Sequence, residues 1–145
     1  MKKLLVVYHS QTGNTEAMAK AIGEGATLAG ASVTVKKAAD ATGNDLLGCE
    51  GVAIGTPNYF GYMSGLIKDF FDRAWPVCRG KISGKPFVAF SSSGGSGRGA
   101  LDSVERICGS SLGMNRAFDG IVATGKPSAK VFDDCKELGK KLAQL

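Results

Sequence analysis

Apolar and polar positions along this chain switch repeatedly between two periods. Leu4-Leu5-Val6-Val7-Tyr8 is an unbroken apolar run. A run this short without alternation predicts a strand covered on both faces. Over about 14–29 the positions Met18, Ala21, Ile22 and Gly25 recur at helical spacing, which predicts a helix with one buried face. Ser32-Val33-Thr34-Val35-Lys36 alternates and reads as an edge strand. A helical turn around Asp45-Leu46-Leu47 leads to a third, apolar strand at 51–55. Leu66, Ile67, Phe70, Phe71 and Ala74 then mark an amphipathic helix over about 64–75. The fourth strand is 86–90, and a helix carrying Leu101, Val104 and Cys108 begins near Gly99. A fifth strand is expected near 118–122. A last helix, from about Ser128, turns Val131, Cys135, Leu138 and Leu142 inward.

Strands alternating with helices predict an α/β fold, a doubly wound five-stranded parallel sheet with helices on both faces. The length, 145 residues, fits one domain with a real core. No apolar run is long enough to cross a bilayer, so no membrane insertion is expected. Lys2 and Lys3 precede an apolar run that is short and ends in a polar loop, so it reads as a first strand rather than a signal peptide. A cytoplasmic protein is expected.

Charge and cysteine content narrow the chemistry. The net charge is +5 and the pI about 9.1. The basic residues are scattered and no aromatics interleave with them, which argues against nucleic acid. An acidic protein partner is the better use of the charge. The cysteines form no CxxC pair and His9 is the only histidine, so no metal site is expected. Cys49 and Cys135 fall at buried positions, while Cys78 sits in a segment expected to be exposed. Gly120-Ile121-Val122-Ala123-Thr124-Gly125-Lys126-Pro127 approaches a Walker A loop, but Pro127 stands where a Ser or Thr is required. There is no GxGxxG fingerprint, and His9 has no partners for a hydrolase triad.

The candidate chemistry lies in three polar loops, each after a strand. In parallel sheets ligands bind beyond these carboxyl ends. The first loop is Ser10-Gln11-Thr12-Gly13-Asn14-Thr15, between a strand and a helix N-terminus. It combines hydroxyls, an amide and a close-approach glycine with the free amides and positive dipole end of the helix. A helix cap alone needs only one such side chain. No Lys or Arg lies between Lys3 and Lys20, so the pattern predicts a phosphate monoester held by neutral donors. The second loop, Thr56-Pro57-Asn58-Tyr59-Phe60-Gly61-Tyr62, displays aromatics that suit a flat heterocycle, although an aromatic more often closes a core. The third, Ser91-Ser92-Ser93-Gly94-Gly95-Ser96-Gly97-Arg98-Gly99, lets backbone approach a ligand closely. A phosphate, a flat ring and many backbone donors together point to a mononucleotide.

The first loop resembles the phosphate-binding loop of flavodoxins, which hold FMN. Phe60-Gly61 is similar to the aromatic–glycine pair of that family's second flavin loop. The stretch from Gly55 to Gly65, and Phe90 to Gly97, most resemble flavodoxin-like NAD(P)H:quinone oxidoreductases. The resemblance implies strand order 2-1-3-4-5, for which flavodoxin is the standard example, and non-covalent FMN as cofactor. Position by position, Ser10, Gln11, Thr12, Gly13, Asn14 and Thr15 would hold the phosphate. Pro57, Asn58, Tyr59, Phe60 and Gly61 would line the ring, and Ser92, Ser93, Gly94, Gly95, Ser96 and Gly97 would wrap its other edge. No catalytic acid or base of the protein is assigned. The resemblance implies an electron carrier working with a redox partner protein. The alternative it leaves is a reductase that takes NAD(P)H and a quinone. The third loop lacks the aromatic many carriers have there, which favours the reductase. The missing insertion through which the reductases form tetramers favours the carrier. A homo-oligomer stays open. Trp75, near a substrate-facing tryptophan of the reductases, reads instead as core or edge packing.

Overall fold

The computed structural model describes residues 1–145. Strands β1 (Lys3–Tyr8), β2 (Ser32–Lys37), β3 (Gly51–Tyr59) and β5 (Pro86–Ser93) pair in parallel in the order β2-β1-β3-β5. The two-residue strand β4 (Tyr62–Met63) folds back antiparallel on β3. The fifth sheet position is shared by β6 (Asn115–Arg116) and β7 (Ile121–Thr124), each pairing with a different stretch of β5. The helices are α1 (Asn14–Leu28), α2 (Gly43–Gly48), α3 (Gly65–Cys78), α4 (Arg98–Arg106) and α5 (Ala129–Ala143). A single π turn, Ile107–Ser111, ends α4. The expected doubly wound order is present.

The unbroken apolar run of β1 is covered on both sides. Leu5 and Val7 belong to the core shared with α2, α3 and α4, while Leu4, Val6 and Tyr8 belong to the core beneath α1 and α5. In α3, Phe70 and Phe71 stack at 5.6 Å with ring planes tilted by 51°. Both are buried, each stabilising the fold by about 2–3 kcal/mol through area removed from water. Leu66 corrects the expected stripe: it stands out at the surface, because the buried face runs Ile67, Phe70, Phe71, Ala74 and Cys78 and so continues one turn further. Cys78 is likewise buried, not exposed, with its thiol on the carbonyl of Gly43 at 3.3 Å. Trp75, on the outer side of the same turn, is partly exposed.

Two glycines set the spacing of α1 and α5. A Cβ on Gly25 would lie 1.9 Å from the carbonyl oxygen of Lys136, and one on Gly139 would lie 2.0 Å from that of Ile22. The helices therefore meet backbone to backbone, side by side over the same face of the sheet. Opposite, a Thr42–Asp45 capping box starts α2, and Lys36 of the edge strand, whose ammonium is 3.0 Å from Asp45, pins it there. Burial alone would raise the Asp45 carboxyl, but the bonds from Lys36 and the Thr42 amide outweigh it and hold it below its ordinary value.

Sequence and structure differ at two strands. The third continues through Thr56-Pro57-Asn58-Tyr59, expected as loop, because this stretch pairs with β5 on one side and with β4 beyond. The fifth is split and displaced: Phe118 turns away to pack on the α1–α5 side, with the Lys141 ammonium 4.4 Å above its ring. Gly120 passes so close to β5 that a Cβ would meet the carbonyl of Ala89 at 2.6 Å.

Candidate cofactor site

At the carboxyl ends of β1, β3, β5 and β7 the chain forms an open cleft of about 240 Å³. The first loop contributes Gln11, Thr12, Asn14 and Thr15; the second contributes Pro57, Asn58 and Tyr59. The third contributes Ser92, Ser93 and Gly94. Gly125, after β7, completes the wall. Gly125 is not among the residues the sequence pattern points to, because the near-Walker pattern over 120–127 masks its place beyond the fifth strand. The usable signal was its place at the end of a strand.

The end of the cavity at the first loop is built by the turn into α1. Gly13 is its N-cap, left-handed at φ 98°, and no side chain caps the helix. The amides of the first turn thus meet the loop with the dipole behind them. The Gly13 amide donates to Ser10 Oγ at 3.1 Å, which folds the loop over itself. Thr15 is buried, and its hydroxyl shares a hydrogen bond with Ser92 Oγ at 2.7 Å. It ties the first loop to the third rather than facing outward. Ser10 and Gly13 line a neighbouring hollow of about 330 Å³ together with His9 and Glu16. There Tyr8 Oη donates to Glu16 Oε2 at 2.8 Å. Burial, with that bond, pushes the phenol up to about 12.

Tyr59 stands where the loops meet. Its hydroxyl donates to Gln11 Oε1 at 2.5 Å, and its ring lies edge-on to His9 at 6.3 Å. His9 Nδ1 is 2.8 Å from Ser64 Oγ, the residue before α3. Burial lowers the imidazole below its ordinary value. Phe60 and Gly61 are the tip of the β3–β4 hairpin, with φ of 58° and 71°. Two left-handed residues make the primed turn that suits a two-residue hairpin. Phe60 is fully exposed at this tip. Gly95, Ser96 and Gly97 lie beyond the cavity wall. The amide of Gly95 donates to Ser93 Oγ at 3.0 Å, and its carbonyl accepts from Thr124 Oγ1 at 3.1 Å. Gly97 is the left-handed N-cap of α4, and Ser96 is exposed beside it.

The cavity wall carries hydroxyls, amides and glycine backbone, and none of its residues is charged. That donor set fits a phosphate monoester joined to an uncharged ring system. The family model described as "Flavodoxin" matches residues 6–139.

The chain belongs to the flavodoxin family.

It is 37% identical to the flavodoxin of Aquifex aeolicus over 99% of this chain and 86% of that protein. A solved flavodoxin from the domain Archaea superposes with a TM-score of 0.89 at 31% identity, covering 98% of this chain and 96% of that one. An NAD(P)H dehydrogenase (quinone) of Cupriavidus metallidurans is 36% identical over 64% of this chain, which spans 57% of that relative's length. Flavodoxins are FMN-binding redox proteins, and FMN is the cofactor the family assigns to this chain. No helix is long and apolar enough to cross a membrane.

Proposed function

We propose that residues 1–145 form one domain that holds FMN between its three loops and carries electrons to and from an acidic partner protein in the cytoplasm. When bound, FMN supplies the one- and two-electron chemistry. The chain's own residues bind and orient it. Thr12, Asn14 and the first-turn amides of α1 take the phosphate, with Ser10 and Gly13 shaping that loop and the Thr15–Ser92 bond bracing it against the third. Asn58 and Tyr59 form one wall of the ring site, with Pro57 behind them and Phe60-Gly61 at its rim. Ser93 and Gly94, continued by Gly95, Ser96 and Gly97, form the other. The observation that carries this reading is the uncapped N-terminus of α1 opening on an uncharged, donor-lined cavity.

A second reading is an FMN-dependent NAD(P)H:quinone oxidoreductase. It is supported by the quinone dehydrogenase relatives and by a third loop that places no aromatic ring beside the site. Mixing FMN-loaded protein with NAD(P)H without oxygen separates the two. A flavin that stays oxidised with NAD(P)H yet bleaches with dithionite supports the carrier. Prompt bleaching by NAD(P)H overturns it in favour of the reductase.

A further inference from the structure

Phe60 is the one non-glycine residue of the chain with a positive φ. Such a conformation persists where surrounding contacts determine it. Here they come from the first two turns of α4 (Arg98–Arg106), which do not line the cavity. Asn58 Oδ1 accepts from the Ala100 amide at 3.1 Å. On the returning strand, the Met63 amide donates to Ser103 Oγ at 3.0 Å. The Ser103 hydroxyl in turn donates to the carbonyl of Ala100 at 2.7 Å, so one buried hydroxyl relays between hairpin and helix. Between these two bonds the helix backbone touches the tip itself. A Cβ on Gly99 would lie 2.3 Å from the carbonyl oxygen of Gly61 and 2.9 Å from its carbonyl carbon. The hairpin is thus gripped on both strands and stopped from below.

We propose that the N-terminal half of α4, through Gly99 and Ser103, sets the position of the Phe60–Gly61 turn and thereby the affinity and midpoint potential of the bound flavin. Both are positioning residues. Gly99 acts by having no side chain, so that the Gly61 carbonyl rests against helix backbone. Ser103 acts by holding the Met63 amide. Any shift of this turn changes the distance between its peptide groups and a ring held at Asn58 and Tyr59. The proposal rests on the FMN reading above.

The test compares the unsubstituted protein with Gly99→Ala, Ser103→Ala and Ser103→Thr, and with Asp102→Ala as a control on the exposed side of the same turn. Three quantities are read: the amide resonances of Gly61 and Met63 in the FMN-free protein, FMN affinity by fluorescence quenching, and the midpoint potential of the bound flavin. Gly99→Ala is expected to move the Gly61 resonance, weaken FMN by about tenfold and shift the potential. Ser103→Ala does the same through Met63, and Ser103→Thr restores the amide bond and most of the affinity. Asp102→Ala changes none of the three. If Gly99→Ala fails to fold, the serine pair decides. Unchanged affinity and potential in Gly99→Ala and Ser103→Ala, in a protein that otherwise binds FMN, would overturn this proposal alone. Failure of the unsubstituted protein to bind FMN would overturn the parent reading, and with it this one.

Discussion

The hydroxyl of Thr15 meets the hydroxyl of Ser92 at 2.7 Å across 77 residues of sequence, with both side chains buried. This bond joins the N-terminus of α1 to the end of β5, and so the two loops on opposite sides of the cavity. Ser92→Ala leaves the Thr15 hydroxyl buried without its partner, a cost of about 1–3 kcal/mol. Thr15→Val has the reciprocal effect. Because the two share one bond, the double substitution costs less than the sum of the singles. Urea unfolding of the four proteins checks this. Strict additivity would show that the hydroxyls are not coupled.

The α1–α5 contact reverses a familiar sign. Gly→Ala inside a helix ordinarily gains about 1 kcal/mol. At Gly25 and Gly139 the added Cβ would run into backbone, and separating the helices costs about 1–3 kcal/mol or more. Both substitutions are therefore expected to lower the thermal midpoint. Gly48→Ala, in α2 with open space around it, is expected to leave it unchanged or raise it.

Phe60 sets stability against binding. A non-glycine residue in the left-handed region costs about 1–2 kcal/mol, less for Asn, and Asn-Gly is the preferred pair for this turn. Phe60→Asn is expected to raise the stability of the FMN-free protein by about 1 kcal/mol while weakening FMN. Chemical unfolding and an FMN titration of the same preparation measure the two effects. A variant neither more stable nor weaker in binding would count against this account of the hairpin tip.

His9 predicts a pH dependence with a definite sign. Its folded-state value is lowered by burial, so between that value and the unfolded one, about 6.5, the unfolded chain binds the extra proton. Stability from this source is full above about pH 6.5 and is lost as pH falls through the window toward the folded value. As the chain has a single histidine, its imidazole resonance reports the titration directly. The thermal midpoint of His9→Asn is expected to fall less between pH 7 and 5 than that of the unsubstituted protein.

Much of the fold was legible because β1 and the helices carry one unambiguous period each. Leu4 to Tyr8 are apolar at every position because both faces are covered, and α1 shows its inward side at Met18 and Ile22. The extension of β3 was hidden by Pro57 and Asn58, which read as turn residues. Pro57 fits because it continues the parallel pairing with β5, opposite Ser92. The hairpin was hidden because its turn is Phe-Gly, where local preference asks for Asn or Asp first. The break near Phe118 depends on a side chain choosing the far core, which no local pattern records. Of the site, the loops were visible as clusters of polar residues. Which hydroxyls face the cavity and which bond across it was not, since Thr12 and Thr15 differ only in where α1 begins to turn.

The backbone contact between α1 and α5 also orders events at synthesis. The core beneath α1 is closed by Cys135, Leu138 and Leu142, which leave the ribosome after every loop of the site. Until they emerge, α1 rests on one face of the sheet alone, and the side at Gly25 that meets Lys136 stays open. The nascent chain can pair β1, β2 and β3 early, but the close packing of α1, which follows the loop 10–15, is completed only with α5.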